Sequence, residues 1–244
     1  MNFFKYYSAD PKASPEDILA PLKHHSVRYV SPDQFNDPYD SKCFFETLDG
    51  DRYDSLSDTI NRHLKIACMS RDPHSPIMWA HYSTHHAGYV LGYNLEQGRG
   101  EAVEYKDIKP FCYSTREIRD AIQIKYPDFS MSELMTVMKN HLLSDDKYMQ
   151  YLKDAIFTKH SDWKYEQEYR LINVNMEGIS EKYIDVDIGS TNVKVIILGY
   201  KFDHKNLDHE LKSIIKNVYN GAVDVYKAEP SFEKYAMTCR PYKL

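Results

Sequence analysis

An α+β fold with mixed or antiparallel split sheets is predicted from the order of the segments. Strand-like runs gather at both ends of the chain with helical runs between them, and they do not alternate as β-α-β units. Neither GxGxxG nor GxxxxGK[ST] occurs, so the phosphate-cradling loops of doubly wound nucleotide folds are absent. No Pro-, Gly- or Ser-rich linker divides the 244 residues, which are read as one domain, 1–244, with a helical insertion over 114–158.

The opening FFKYYS reads as a short strand. A helix follows from Pro15 to Lys23, capped by Ser14 and favoured by Glu16 and Asp17 in its first turn. Val27 to Val30 is a strand that runs into Ser31–Asp40, a turn-rich segment with two prolines. Arg52 to Leu64 has helical spacing and Lys65 to Met69 is a strand. Ser75 and Pro76 are a natural cap and first residue for a helix reaching His86, with Gly88 expected at positive φ beyond it. At about 100° per residue Met78, Tyr82 and His85 share a face, with His81 beside them. Tyr89 to Tyr93 and Ala102 to Tyr105 are further strands.

Ser114 to Phe157 is read as two or three amphipathic helices, broken near Pro127 and Ser144–Asp146. Strand patterns return from Tyr169 as EYRLINVN, KYIDVDI and VKVIILGY, with turns at Asn175–Gly178 and Gly189–Asn192. A helix over Asn206–Tyr219 and a strand over Ala222–Tyr226 complete the pattern.

Hydrophobic residues make up 42% of the chain and charged residues 27%, which suits a sizeable core under a wetted surface. No apolar run is long enough to cross a membrane and the first residues lack an export pattern, so cytoplasmic residence is expected. Cys43, Cys68, Cys112 and Cys239 form no CxxC pair, which argues against a zinc knuckle or a disulfide framework. A net charge of −5 disfavours a whole-surface nucleic-acid binder and leaves a local basic cleft open.

Three segments have the residue types of a site. Phe35–Asp40 is either a self-capping turn or a rigid loop presenting Asn36, Asp37 or Tyr39 to a ligand. His81 and His85 stand at a metal-binding i, i+4 spacing, without the acidic neighbour of an HExxH site. Trp163–Arg170 would, if extended, point Glu166, Glu168 and Arg170 to one side. That row is either an exposed ion-paired edge or a carboxylate pair in a cleft, where Arg170 would keep one of them ionised.

The combination of Phe4-Lys5-Tyr6, Phe35–Asp40, Cys68-Met69-Ser70 with Met78–Gly88, Trp163–Arg170 and Ile196–Gly199 resembles a bacterial and phage-associated family known as a domain of unknown function. The element order, ending in an ExE segment that leads into paired strands, is also similar to ADP-ribosyltransferases. That second resemblance implies a split pair of sheets holding NAD as substrate. It also implies Glu168 as the catalytic carboxylate near the ribose with Glu166 as helper, and Lys5 or Tyr6 as the polar contact on the first strand. No STS motif follows, and Lys5 or Tyr6 stands where an arginine or histidine is common.

An aromatic ring would stack on the cationic nicotinamide, with Tyr82 or Tyr39 as candidates, and His81 would orient a phosphate or ribose hydroxyl. Asn36, Asp37 and Arg170 complete the expected NAD contacts. A fixed carboxylate suits this chemistry because the bond to be broken passes through an oxocarbenium-like state. ADP-ribosyl transfer or NAD hydrolysis by a toxin or antiviral effector is therefore expected, with a protein or nucleic-acid acceptor and an antitoxin or other regulator as partners and no membrane. Two alternatives stand beside it. One is a metal-assisted hydrolase or nuclease using His81 and His85 with Asp37 or Asp40, and the other is a non-enzymatic ligand-sensing or protein-binding module.

Overall fold

A computed structural model of the chain describes residues 2–42, 45–46, 52–53, 61–95, 100–110, 113–114, 124–125, 127–128, 130, 133, 146–175, 178 and 180–244. The fold is α+β with a mixed sheet. In chain order its strands are β1 (Asn2–Tyr7), β2 (Ser26–Val30), β3 (Phe45–Glu46), β4 (Arg52–Tyr53), β5 (Leu64–Ser70), β6 (Tyr89–Asn94), β7 (Gly100–Ala102) and β8 (Glu104–Lys106). They continue as β9 (Tyr113–Ser114), β10 (Thr158–His160), β11 (Glu168–Val174), β12 (Tyr183–Asp187), β13 (Val193–Leu198), β14 (Asp224–Pro230) and β15 (Met237–Pro241). The helices used below are α1 (Pro15–Ile18), α2 (Ala20–Lys23), α3 (Pro76–Tyr82), α4 (Asp146–Phe157) and α5 (His204–Tyr219).

Ten strands form the main sheet in the order β12-β2-β5-β1-β6-β13-β14-β15, with β11 on β5 and β7 on β11. The antiparallel partner β11 takes one whole edge of β5, from Glu168 opposite Ser70 to Val174 opposite Leu64. Both β1 and β2 must then share the other edge, and each touches it through one pair, Phe4 with Ser70 and Val30 with Ile66. The sheet forks between those two points. Within this sheet β13 and β14 pair in parallel, joined by the crossover helix α5 as parallel strands require.

Alternation along the strands fills both faces. Phe3, Tyr7, Leu91, Tyr93, Ile196 and Leu198 join Leu19, Leu22, Leu207, Leu211 and Ile214 from α1, α2 and α5 in the larger core. On the opposite face Val90, Ile197, Ala228 and Met237 pack around Trp79 of α3. Its indole is fully buried and its Nε1 donates to Pro73 O at 2.8 Å, satisfying the one polar atom that the core would otherwise strand.

Several expectations shift. The helix over Pro15–Lys23 is two turns broken at Leu19, because Pro21 has no N–H to continue the ladder. Ser14 caps the first as expected, accepting from Asp17 N at 3.1 Å. The helix starting at Pro76 stops at Tyr82 instead of His86, and Thr84, His85 and His86 take the positive φ values expected of Gly88. Gly88 serves another purpose: a Cβ there would lie 2.0 Å from Tyr7 O, so the chain can approach β1 only without a side chain.

Arg52 and Tyr53 lie in a short strand, and residues 61–63 are the described helical part of the segment read as a helix. The expected strand Ala102–Tyr105 divides at Val103, with β7 pairing β11 and β8 pairing β10. Tyr113 and Ser114 form β9 and Thr158 opens β10, so the helical block is narrower than 114–158. Within it α4 is the described helix of any length, and most of 115–145 lies outside the described residues. β15 has no counterpart in the expected strands. Among the described residues no helix is long and apolar enough to cross a membrane.

Candidate active-site cavity

At the fork of the sheet lies a cavity of about 260 Å³. Phe4, Lys5 and Tyr6 of β1, Val30 of β2 and Ile66, Cys68, Met69 and Ser70 of β5 line it. The segment 34–36, Met78 and Tyr82 of α3, and Lys159, Glu166 and Glu168 complete the wall. Fewer backbone hydrogen bonds join β1 to β5 here, and a side chain fills the gap. Lys5 Nζ donates to Cys68 O at 3.1 Å. Burial pushes the Lys5 ammonium down from its usual range.

The two glutamates reach this wall by different routes. Glu168 and Arg170 stand two apart on β11 and therefore share a face, as expected. Glu166 ends a 3-10 turn, Ser161–Glu166, and Gln167 between them is left-handed at φ 44°. Ser70 Oγ fixes that turn by donating to Glu166 O at 2.7 Å. The segment read as extended from Trp163 is thus strand only from Glu168.

Behind the wall lies a buried ion cluster. Arg170, with no exposed surface, donates from Nε to Glu168 Oε1 at 2.8 Å and from Nη2 to Glu168 Oε2 at 3.1 Å. The same Nη2 donates to Asp40 Oδ2 at 2.6 Å, while Nη1 donates to Ser41 Oγ at 3.0 Å and to Ile156 O. Lys159 Nζ stands 2.6 Å from Glu166 Oε2, 3.4 Å from Glu168 Oε2 and 3.5 Å from Asp40 Oδ2. The Trp163 ring covers the ammonium at 4.7 Å. On the cavity side Tyr82 donates to Glu166 Oε1, and Asn36 Nδ2 donates to the Tyr82 hydroxyl at 2.9 Å.

Three carboxylates share two cations here, and the pair facing the cavity divides accordingly. Burial opposes the charge on Glu168, but Arg170 and then Lys159 overcome it and hold the carboxyl well below the usual range. For Glu166 burial prevails, reinforced by Glu168, and lifts the carboxyl above that range against the pull of Lys159 and Tyr82. Burial also works against Lys159, yet Glu168, Glu166 and Asp40 together hold its proton more tightly than usual. Burial and the neighbouring Glu166 push the Tyr82 hydroxyl up. One wall therefore presents a carboxylate held ionised by its cations beside a second whose charge burial disfavours, and opposite shifts in neighbouring carboxyls are a pattern that acid–base and electrostatic chemistry uses.

Of the residues singled out in the sequence, Lys5, Tyr6, Asn36, Tyr82, Glu166 and Glu168 meet at the cavity, and Arg170 sits directly behind it. Tyr6 also anchors the strand, its hydroxyl donating to Asp72 O at 2.8 Å. Asp37, Tyr39 and His81 lie outside this lining. The Asp37 carboxylate accepts from Tyr39 N at 2.9 Å, so it caps its own turn. Tyr39 is 65% exposed and stands under Lys109 Nζ at 4.7 Å. His81 faces outward and meets the Tyr165 hydroxyl at 3.2 Å.

His85 follows the end of α3 with φ 51°, so it shares no helical face with His81. Among the described residues no group of three His, Cys, Asp or Glu side chains is placed to hold a metal ion. Asp40 serves the ion cluster instead, and Lys159 enters the site without having been singled out at all. Lys159 is one residue among many lysines, and its signal was indirect: three carboxylates drawn together need more than one cation.

No curated protein matches the chain, and no solved structure does. Residues 78–171, which include most of α3, Lys159 and the glutamate pair, are similar to a family described as protein of unknown function (DUF2971).

Proposed function

We propose that this cavity acts on NAD, releasing nicotinamide by ADP-ribosyl transfer or by hydrolysis. The observation that carries the reading is the pair Glu166 and Glu168 on one cavity wall, with Glu168 held ionised by Arg170 and Lys159 and Glu166 shifted the other way by burial. An anion fixed by buried cations stabilises the positive charge that develops on ribose as the glycosidic bond lengthens. Tyr82, hydrogen-bonded to Asn36, lines the cavity and is the candidate ring for a cationic nicotinamide, whereas Tyr39 lies outside the lining. The cavity volume suits the nicotinamide-ribose end, with the rest of the dinucleotide outside. A toxin or defence role, an acceptor and a regulator belong to the same proposal.

A ligand-binding module without turnover is the second reading. It is favoured by one fact: both oxygens of Glu168 already accept from Arg170, and Lys159 stands by one of them. Incubation of the protein with nicotinamide-labelled and adenylate-labelled NAD, with and without cell extract, separates the two. Nicotinamide release that falls about 100-fold or more in Glu168→Gln supports catalysis. Saturable NAD binding without release supports the module, and neither binding nor release ends both.

A further inference from the structure

Lys159 is the residue through which the two carboxylates communicate. It arrives on β10, which pairs with β8 outside the main sheet, whereas Glu168 belongs to β11 within it. Among the described residues its ammonium is the one cation within 4 Å of all three acids of the cluster, Glu166, Glu168 and Asp40. Arg170 reaches only Glu168 and Asp40 of these. Glu166 thus depends on Lys159 for its cation, with only the hydroxyl of Tyr82 as a further side-chain donor in the described contacts. The Trp163 ring also lies against the ammonium, at 4.7 Å from its centroid.

From this geometry we infer that Lys159 is a positioning residue of the cavity, which holds Glu166 beside Glu168 and keeps the two like charges together on one wall. The inference deepens the catalytic reading above and rests on it for its functional meaning. Its physical content is independent of any substrate. Charged and titratable groups surround the pair from every packed element. Glu166 meets Lys159, Glu168, Tyr82, Tyr165 and Tyr105, and Glu168 meets Arg170, Lys159, Cys68, Lys5 and Tyr105. Of these only Lys159 is a cation that bonds to both.

Carboxyl-13C glutamate labelling gives the test, with Glu166→Gln used to assign the Glu166 resonance. In Lys159→Met the titration midpoint of Glu166 rises by about 1 pH unit or more, because an opposite charge within bonding distance has been removed. In Lys159→Arg, which keeps the charge, the midpoint stays near that of the parent protein. An unchanged midpoint in Lys159→Met overturns the inference, as does an equal shift in Lys159→Arg. Should Lys159→Met not fold, the same substitution is made with Asp40→Asn, which removes one acid as well, and is compared with Asp40→Asn alone. If the parent protein releases nicotinamide from NAD, the midpoint of that activity moves with the resonance. If it releases none, the NAD reading fails while the resonance still decides the role of Lys159.

Discussion

The stem of the forked sheet and one of its arms use buried positions in opposite ways. In the arm built on β6 and β13, Tyr89, Val90, Leu91, Tyr93, Ile196, Ile197 and Leu198 are buried, and both faces are apolar. In the stem built on β5 and β11, Glu168 and Arg170 are buried as deeply, and they face Lys159, Glu166 and Asp40. Apolar burial is non-directional and tolerates small losses, whereas a buried ion is stable only while each partner remains. The arm therefore supplies stability, and the stem holds its charges only as a complete set.

Removing a partner from the stem should do the most damage. Arg170→Met leaves Asp40 and Glu168 buried without their main cation and should cost about 3–5 kcal/mol, read from the urea midpoint at unchanged slope. A loss below about 1 kcal/mol would show that the cluster relaxes into water and that the contrast between stem and arm is overstated. Tyr82→Phe takes one donor from the Glu166 carboxylate and should cost about 1.5–2 kcal/mol, with Glu166 titrating at higher pH.

The two glutamates should respond to pH in opposite senses. Glu168 is held below the usual carboxylate range, so its contribution is present above about pH 4.3 and is lost as pH falls through its lower folded value. Glu166 is held above that range, so its contribution is present below about pH 4.3 and is lost as pH rises through its higher folded value. The stability difference between the parent protein and Glu168→Gln should therefore grow with rising pH, and that for Glu166→Gln should shrink. Equal slopes in denaturant titrations across pH 3–8 would remove the asymmetry on which the site reading depends.

In the apolar arm Ile197→Val should cost only about 0.5–1.5 kcal/mol and leave both titrations unchanged. Smallest of all, His81→Ala should stay within about 0.5 kcal/mol, since its ring faces solvent and meets only Tyr165 and Tyr82. A large loss of NAD turnover in that variant would return His81 to the site.

Local signals carried the regular parts of the fold. Ser14 and Ser75 cap the helices they were expected to cap, and α5 begins and ends within two residues of its pattern. Strand alternation also put Glu168 and Arg170 on one face, because a period of two is a property of the backbone. Where reading failed, a competing local rule or a distant partner prevailed. Pro21 split a helix whose apolar spacing continued through it. The turn after Tyr82 took its positive φ at Thr84, His85 and His86, because Gly88 was needed for its missing Cβ.

The sequence by itself determined the α+β class, most of the longer elements and the candidate glutamates, since these follow from periodicity, capping and side-chain identity within a few neighbours. Only the tertiary structure decided that β5 shares one edge between β1 and β2, that Asp40 and Lys159 join the glutamates, and that Asp37, Tyr39 and His81 do not. The reason is physical. Which charge meets which in a buried cluster is set by contacts spanning 130 residues, as between Arg170 and Asp40, and no local pattern encodes a partner so distant.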